Sequence, residues 1–196
     1  MTIFNRTRLT NDVFKIDIKR MRKGWYSDKY FENIGVMLST LAEQKYLFKG
    51  KALRLGDIDL SKTKTGNIEV EMQWFTRRKG KVVVAGVDKA LTVLRHCCGY
   101  FNGNGKFVNT WKRMEVEAVH DGATVTYAGD PMTVQPVLRV RGLYRNFALL
   151  ETPTLGLLTR SSRVATNVYE TLMAANGKPV LFFPARFDLH EVQAAD

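Results

Sequence analysis

With 196 residues, 45% of them hydrophobic and 25% charged, the chain has the balance of a folded globular protein and room for one domain plus, at most, the opening of a second. That balance is a globular one rather than that of a disordered chain. No stretch approaches the roughly 20 apolar residues of a membrane helix, which excludes a membrane span. The net charge of +11 leaves three classes of partner: nucleic acid, an anionic surface, or a small phosphorylated substrate. The basic residues are dispersed, in pieces such as Lys19-Arg20-Met21-Arg22-Lys23 and Arg77-Arg78-Lys79. Neither piece carries a nucleic-acid motif, which argues against that partner. The opening MTIFNRTRLTNDVF has no apolar h-region, so no secretory signal is expected. Cys97 and Cys98 are adjacent and show no metal-ligand spacing, as expected of a reduced, cytoplasmic protein.

In chain order, residues 12–23 read as a short amphipathic helix with Val13, Phe14, Ile16, Ile18 and Met21 on its apolar side and Gly24 as its stop. Ser27 and Asp28 offer an N-cap for a second helix carrying Tyr30, Phe31, Ile34, Met37, Leu38 and Leu41. Residues 45–67 are polar and rich in turn formers, and read as a loop or weakly structured insertion. The alternation over 69–74 predicts a strand with one buried face, and 82–84 a short buried strand. A helix over 87–98 follows, ended by the glycine–asparagine cluster 99–105. Strands at 114–119 and 124–127 flank Asp121-Gly122, a hairpin signal, and 136–140 is a further strand. Two helices are then expected, over 147–158 and 161–175, closed by Asn176-Gly177. The apolar run 180–183 reads as a strand buried on both faces.

These elements predict an α+β amino-terminal domain, a mostly antiparallel sheet with helices, leading into the first strand of an incomplete α/β barrel. The expected division is 1–145 for the α+β domain and 146–196 for a helical pair and first strand of a truncated barrel.

The carboxy-terminal third runs Ala148-Leu149-Leu150-Glu151-Thr152-Pro153-Thr154-Leu155-Gly156, through Val164-Ala165-Thr166-Asn167, to Gly177-Lys178-Pro179-Val180-Leu181-Phe182-Phe183-Pro184-Ala185-Arg186. It resembles the stretch of nicotinate phosphoribosyltransferases, among the type II phosphoribosyltransferases, where two helices lead into the first barrel strand. Tyr26-Ser27-Asp28-Lys29-Tyr30-Phe31, Trp74-Phe75-Thr76-Arg77-Arg78 and Ala85-Gly86-Val87-Asp88-Lys89-Ala90-Leu91 also resemble that family, in its order. The resemblance implies joining of nicotinate to phosphoribosyl pyrophosphate to give nicotinate mononucleotide and pyrophosphate, in NAD biosynthesis. It implies Mg2+ and ATP as cofactors of the complete enzyme, and a homodimer whose active sites lie between one subunit's barrel and the other's amino-terminal domain. No membrane partner is implied. Related enzymes for nicotinamide or quinolinate, and a non-catalytic basic interaction domain, are the alternatives.

By the same resemblance Tyr30 stacks on the pyridine from across the dimer, against the alternative of a core-facing helical aromatic. Asp28 contacts substrate, caps its helix, or does both. Phe183 covers the other face of the ring, with Phe182 turned inward, since successive strand residues face opposite ways. Arg186, just past the strand's end, offers a guanidinium fork to a carboxylate or phosphate. The family's phosphorylated histidine falls beyond Asp196, so His190 reads as a loop residue at the site edge, and no catalytic residue is expected in the chain. His96 and His120 read as surface residues of a helix and a strand. Where many members carry a glycine and paired arginines, this chain has Pro184-Ala185-Arg186-Phe187. A barrel takes about 250 residues, so the chain is expected to be inactive by itself, as a truncated gene, a fragment or half of a split enzyme.

Overall fold

A computed structural model describes residues 8–186, 188 and 189. The chain begins with α1 (Ile18–Met21) and α2 (Lys29–Glu43), then a small antiparallel pair, β1 (Arg54–Leu55) and β2 (Ile58–Asp59). Next come β3 (Glu69–Phe75), β4 (Gly80–Val83), α3 (Val87–Cys97), β5 (Gly99–Phe101), β6 (Phe107–Asn109), β7 (Glu115–Ala118), β8 (Thr124–Tyr127) and β9 (Pro136–Leu143). The long α4 (Glu151–Ala175) closes the fold. Every ladder is antiparallel: β3-β9-β7 form one sheet, and β4-β8, β5-β6 and β1-β2 form pairs. This is the α+β architecture that the sequence predicts. No helix among the described residues is long and apolar enough to cross a membrane.

Alternation positions the core. Val70, Met72 and Trp74 of β3 turn inward while Glu69, Glu71 and Gln73 face out, and Val125 and Tyr127 of β8 repeat the pattern. These faces pack on α3, whose Val87, Ala90, Val93 and Leu94 are wholly buried. On the outer face Arg141 of β9 bridges Glu71 of β3 and Glu115 of β7, a cross-strand charge ladder that holds register in solvent.

The expected helix over 12–23 is broken. Asp17 accepts from Arg20 N at 3.1 Å and starts α1 only at Ile18, while Phe14 is buried ahead of it from extended chain. The two helices expected over 147–175 are a single helix. The polar run Thr159-Arg160-Ser161-Ser162-Arg163 suggests a break, yet its Ser162 hydroxyl and that of Thr166 one turn later serve the edge of β4. Ala85 N donates to Ser162 Oγ at 3.1 Å and Val83 N to Thr166 Oγ1 at 3.0 Å. α4 thus covers a strand edge with side-chain acceptors where a backbone ladder would otherwise be needed. Asn176 ends it in the left-handed conformation (φ 48°), as expected.

Further expectations are corrected. Residues 114–119 and 124–127 are not a hairpin: β7 pairs with β9 and β8 with β4. The cluster 99–105 is no simple stop but the first strand and turn of the β5-β6 hairpin, where Asn102 Oδ1 accepts from the backbone of Asn104 and Lys106. The loop over 45–67 also carries the short β1-β2 pair and a 3-10 turn at Thr65–Asn67. That turn comes so close to α2 that a Cβ on Gly66 would fall 2.1 Å from Ala42 N. The run 180–183 pairs with no strand among the described residues, and Leu181, Phe182 and Phe183 are exposed. A strand needs a ladder partner, and none stands beside it.

Cys97 and Cys98 are buried free thiols. Burial pushes the Cys97 thiol from 9.0 up to about 11, and Cys98 higher still. Unfolded thiols ionise first as pH rises, so their protonated burial favours the fold below pH 9.0, and this is lost toward about pH 11. Native protein is expected to leave a thiol reagent such as DTNB unreacted at neutral pH and to react once unfolded. The urea midpoint should fall as pH passes from 9 to 11. Prompt native reaction at either cysteine would refute the burial.

Candidate functional site

The first turns of α2 and α4 meet. Asp28 sits at the N-cap position of α2, but its side chain caps nothing there. Instead Asp28 N donates to Thr152 Oγ1 at 3.1 Å, and the Thr152 hydroxyl lies 3.2 Å from Asp28 Oδ2. Residues 124 apart in the chain are thereby joined. The helix-capping alternative for Asp28 therefore holds for its position and not for its carboxylate.

Above this junction Tyr30 is 54% exposed while its neighbour Phe31 is buried, so Phe31 takes the core place and Tyr30 is presented to solvent. Their ring centroids are 4.1 Å apart. Glu151 and Tyr144 complete the surroundings. Partial burial and the nearby Asp28 carboxylate raise the Glu151 carboxyl above its ordinary range, although Thr152 pulls it down. Loss of water around its hydroxyl, then Glu151 and Asp28, raise the Tyr30 phenol, and burial, Glu151 and Tyr30 raise that of Tyr144. The junction is an aromatic surface beside two carboxylates, suited to a flat ring that gains positive charge.

Phe183 and Arg186 form a contact pair of their own. Phe183 is 56% exposed, and the Arg186 guanidinium stands over its ring at 5.9 Å. No hydrogen bond, ion pair or ring contact among the described residues joins this pair to Asp28 or Tyr30. Phe182, expected to turn inward, is exposed as well. An ion pair between Arg160 of α4 and Asp188 ties the segment back to that helix. His190 lies outside the described residues. His96 is half-buried in α3, and His120 is exposed in the turn after β7 rather than on a strand. Among the described residues no group of three or more His, Cys, Asp or Glu side chains is arranged to hold a metal ion.

Sequence reasoning quotes Glu151 and Thr152 within a motif but gives neither a role. The signal was the start of a helical run, and the missing information was its partner on α2. Sequence reasoning also passed over a cavity of about 840 Å³ between β3, the β4-β8 pair and α4. Phe31, Tyr144 and Glu151 of the junction line it, while Asp28 and Tyr30 do not.

The sequence matches the family described as quinolinate phosphoribosyl transferase, N-terminal domain, over residues 57–162, more than half of the chain. The solved structure "Crystal structure of nicotinate-nucleotide pyrophosphorylase from Pyrococcus furiosus" superposes on 96% of the chain with a TM-score of 0.56 at 20% identity. At that identity the likeness speaks for the fold. The chain spans 37% of that relative's length. No curated protein matches.

Proposed function

Because the chain belongs to the family of quinolinate phosphoribosyl transferase N-terminal domains, we propose that it is the pyridine-binding part of a nicotinate phosphoribosyltransferase acting in NAD biosynthesis. The observation that carries this reading is the lock between Asp28 and Thr152 beneath an exposed Tyr30. In the reaction the pyridine nitrogen bonds to the ribose carbon as the bond to pyrophosphate breaks. The ring nitrogen becomes a cation and pyrophosphate leaves with the bonding electrons. Tyr30 offers a ring face for offset stacking, and the Asp28 and Glu151 carboxylates stabilise the charge developing on nitrogen. In the proposed homodimer the ring lies between subunits: Arg186 of the opposite subunit meets the substrate carboxylate, and its Phe183 covers the second ring face.

The same carboxylates favour nicotinate, with one negative charge, over quinolinate, with two. The family's own description favours quinolinate, so one assay decides. The rest of the site, with phosphoribosyl pyrophosphate, ATP coupling and a barrel from the other subunit of a homodimer, belongs to this proposal for the complete cytoplasmic enzyme. Magnesium fits no donor set among the described residues.

Calorimetric titration of the chain with nicotinate, quinolinate and nicotinamide is the test. Nicotinate should bind most tightly, and Tyr30→Ala should weaken it roughly tenfold through loss of stacking. Asp28→Asn should weaken it less. An unchanged affinity in Tyr30→Ala overturns the site, and tighter quinolinate binding moves the activity to the substrate that the family's description names. Steeply salt-dependent RNA binding with no response to any pyridine would select the basic interaction domain instead.

A further inference from the structure

The two carboxylates of the junction are held differently. Thr152 has one hydroxyl proton and two carboxylates within reach, Asp28 Oδ2 at 3.2 Å and Glu151 Oε2 at 3.4 Å. Asp28 has the shorter contact, and its own N–H donates back to Thr152 Oγ1 at 3.1 Å, so Asp28 is fixed in place. Glu151 is left with the longer contact and has no ion pair among the described residues. The titratable groups that face it are Asp28 and Tyr30 of α2 and Tyr144 of the turn after β9, none of them a cation. Glu151 lines the cavity of about 840 Å³ beside Phe31 and Tyr144, whereas Asp28 does not. The arginines that line the same cavity are taken up elsewhere. Arg163 lies about 18 Å further along α4. Arg78 is bonded beyond it, to Asn167 and Glu170, and Arg77 lies over the Phe75 ring at 5.8 Å.

In the pyridine site proposed above, on which this inference rests, Glu151 faces the ring nitrogen. A substituent on the ring carbon next to that nitrogen then meets a partly dehydrated carboxylate with no cation beside it. We infer that Glu151 is the specificity-determining residue of the pyridine site, turning away a carboxylate next to the ring nitrogen. Quinolinate carries such a group and nicotinate does not. Cinchomeronate has the same two negative charges as quinolinate, with its second carboxylate away from the nitrogen. Selection is therefore by position as well as by charge. Like charges a few ångströms apart repel strongly where water is partly removed. Asp28 contributes less, because Thr152 already donates to it and because it does not line the cavity. Burial holds the Glu151 carboxyl above its ordinary range, against the pull of Thr152 and with help from Asp28. A carboxyl so raised is charged at neutral pH and takes up its proton sooner as pH falls, so the exclusion is strongest at neutral pH and fades toward acid.

Calorimetric titration of the full chain with nicotinate, quinolinate and cinchomeronate tests this, with Glu151→Gln and Asp28→Asn beside the wild type. Glu151→Gln keeps the side chain's length and its acceptor for Thr152 while removing the charge. It should tighten quinolinate relative to nicotinate by about tenfold or more, and cinchomeronate relative to nicotinate by less than about threefold. Asp28→Asn should shift the quinolinate ratio by less than about threefold. In the wild type the preference for nicotinate over quinolinate should narrow as pH falls, and by more than in Glu151→Gln. Titration of the ligands is common to both proteins, so the difference reports the Glu151 carboxyl. A quinolinate ratio unchanged by Glu151→Gln, an equal shift in Asp28→Asn, an equal gain for cinchomeronate, or identical pH profiles would each overturn the inference. Those results leave the pyridine site standing so long as Tyr30→Ala still weakens nicotinate. Loss of that effect removes the site and the inference together.

Discussion

Gly86→Ala should lower the thermal midpoint by roughly 6–12 °C, the equivalent of about 3 kcal/mol in a chain of this size. Gly86 sits at the N-cap of α3 with φ 86°, a left-handed conformation that costs a residue with a Cβ about 1–2 kcal/mol. The remainder is steric. An added Cβ would lie 2.9 Å from the Leu157 carbonyl oxygen and from Ser161 Oγ, because α4 crosses here almost in backbone contact. Overpacking of that kind costs about 1–3 kcal/mol. Ser161→Gly in the same chain should return only part of the loss, since the clash with the Leu157 carbonyl is with backbone and cannot swing away. A midpoint unchanged by Gly86→Ala would mean that α4 does not press on the start of α3.

Arg8→Ala should cost about 3 kcal/mol, read as a lower urea midpoint at neutral pH. Arg8 Nη1 donates to Asp88 Oδ1 at 2.7 Å, and its Nη2 reaches the carbonyls of Ala118 and Val119. Asp88 is buried and also accepts from Leu9 N. Beside it Asp121 accepts from Val87 N at 2.8 Å and Asp88 N at 3.2 Å, capping α3. Without Arg8 two neighbouring carboxylates share a buried helix start. Burial already holds the Asp121 carboxyl above its ordinary range; Asp88 adds to that, and Arg8 opposes it. A carboxyl raised in the fold contributes stability at low pH and loses it as pH rises. The Arg8→Ala deficit should therefore be largest at neutral pH and smaller at acidic pH, as the Asp121 carboxyl takes up its proton. Adding Asp88→Asn should recover much of it, because the uncompensated charge is removed. Equal deficits at both pH values would refute the electrostatic account.

The candidate site was half legible. Tyr30 and Asp28 stand at a helix start that Ser27-Asp28 announces, and solvent does reach Tyr30. Thr152 and Glu151 were visible only as the opening of a helix, because the hydrogen bonds that give them a place span 124 residues. The arginines of the cavity read as one dispersed charge run and one polar helix segment. Their meeting at one cavity follows from α4 lying along the edge of β4. Asp121 is the sharpest case. As half of an Asp-Gly pair it reads as a hairpin turn, and its carboxylate is instead spent on α3.

What the amino-acid order determined by itself was local: the bounds of α2 and α3, the alternation of β3 and β8, and the stop at Asn176. Each rests on side-chain periodicity and on backbone preferences within a few residues. Pairing β8 with β4 and β7 with β9, fusing two helical runs into α4, and leaving the run 180–183 without a ladder were decided by tertiary structure. Those outcomes depend on which distant backbone groups and apolar faces satisfy one another, and that is settled only when the chain is packed.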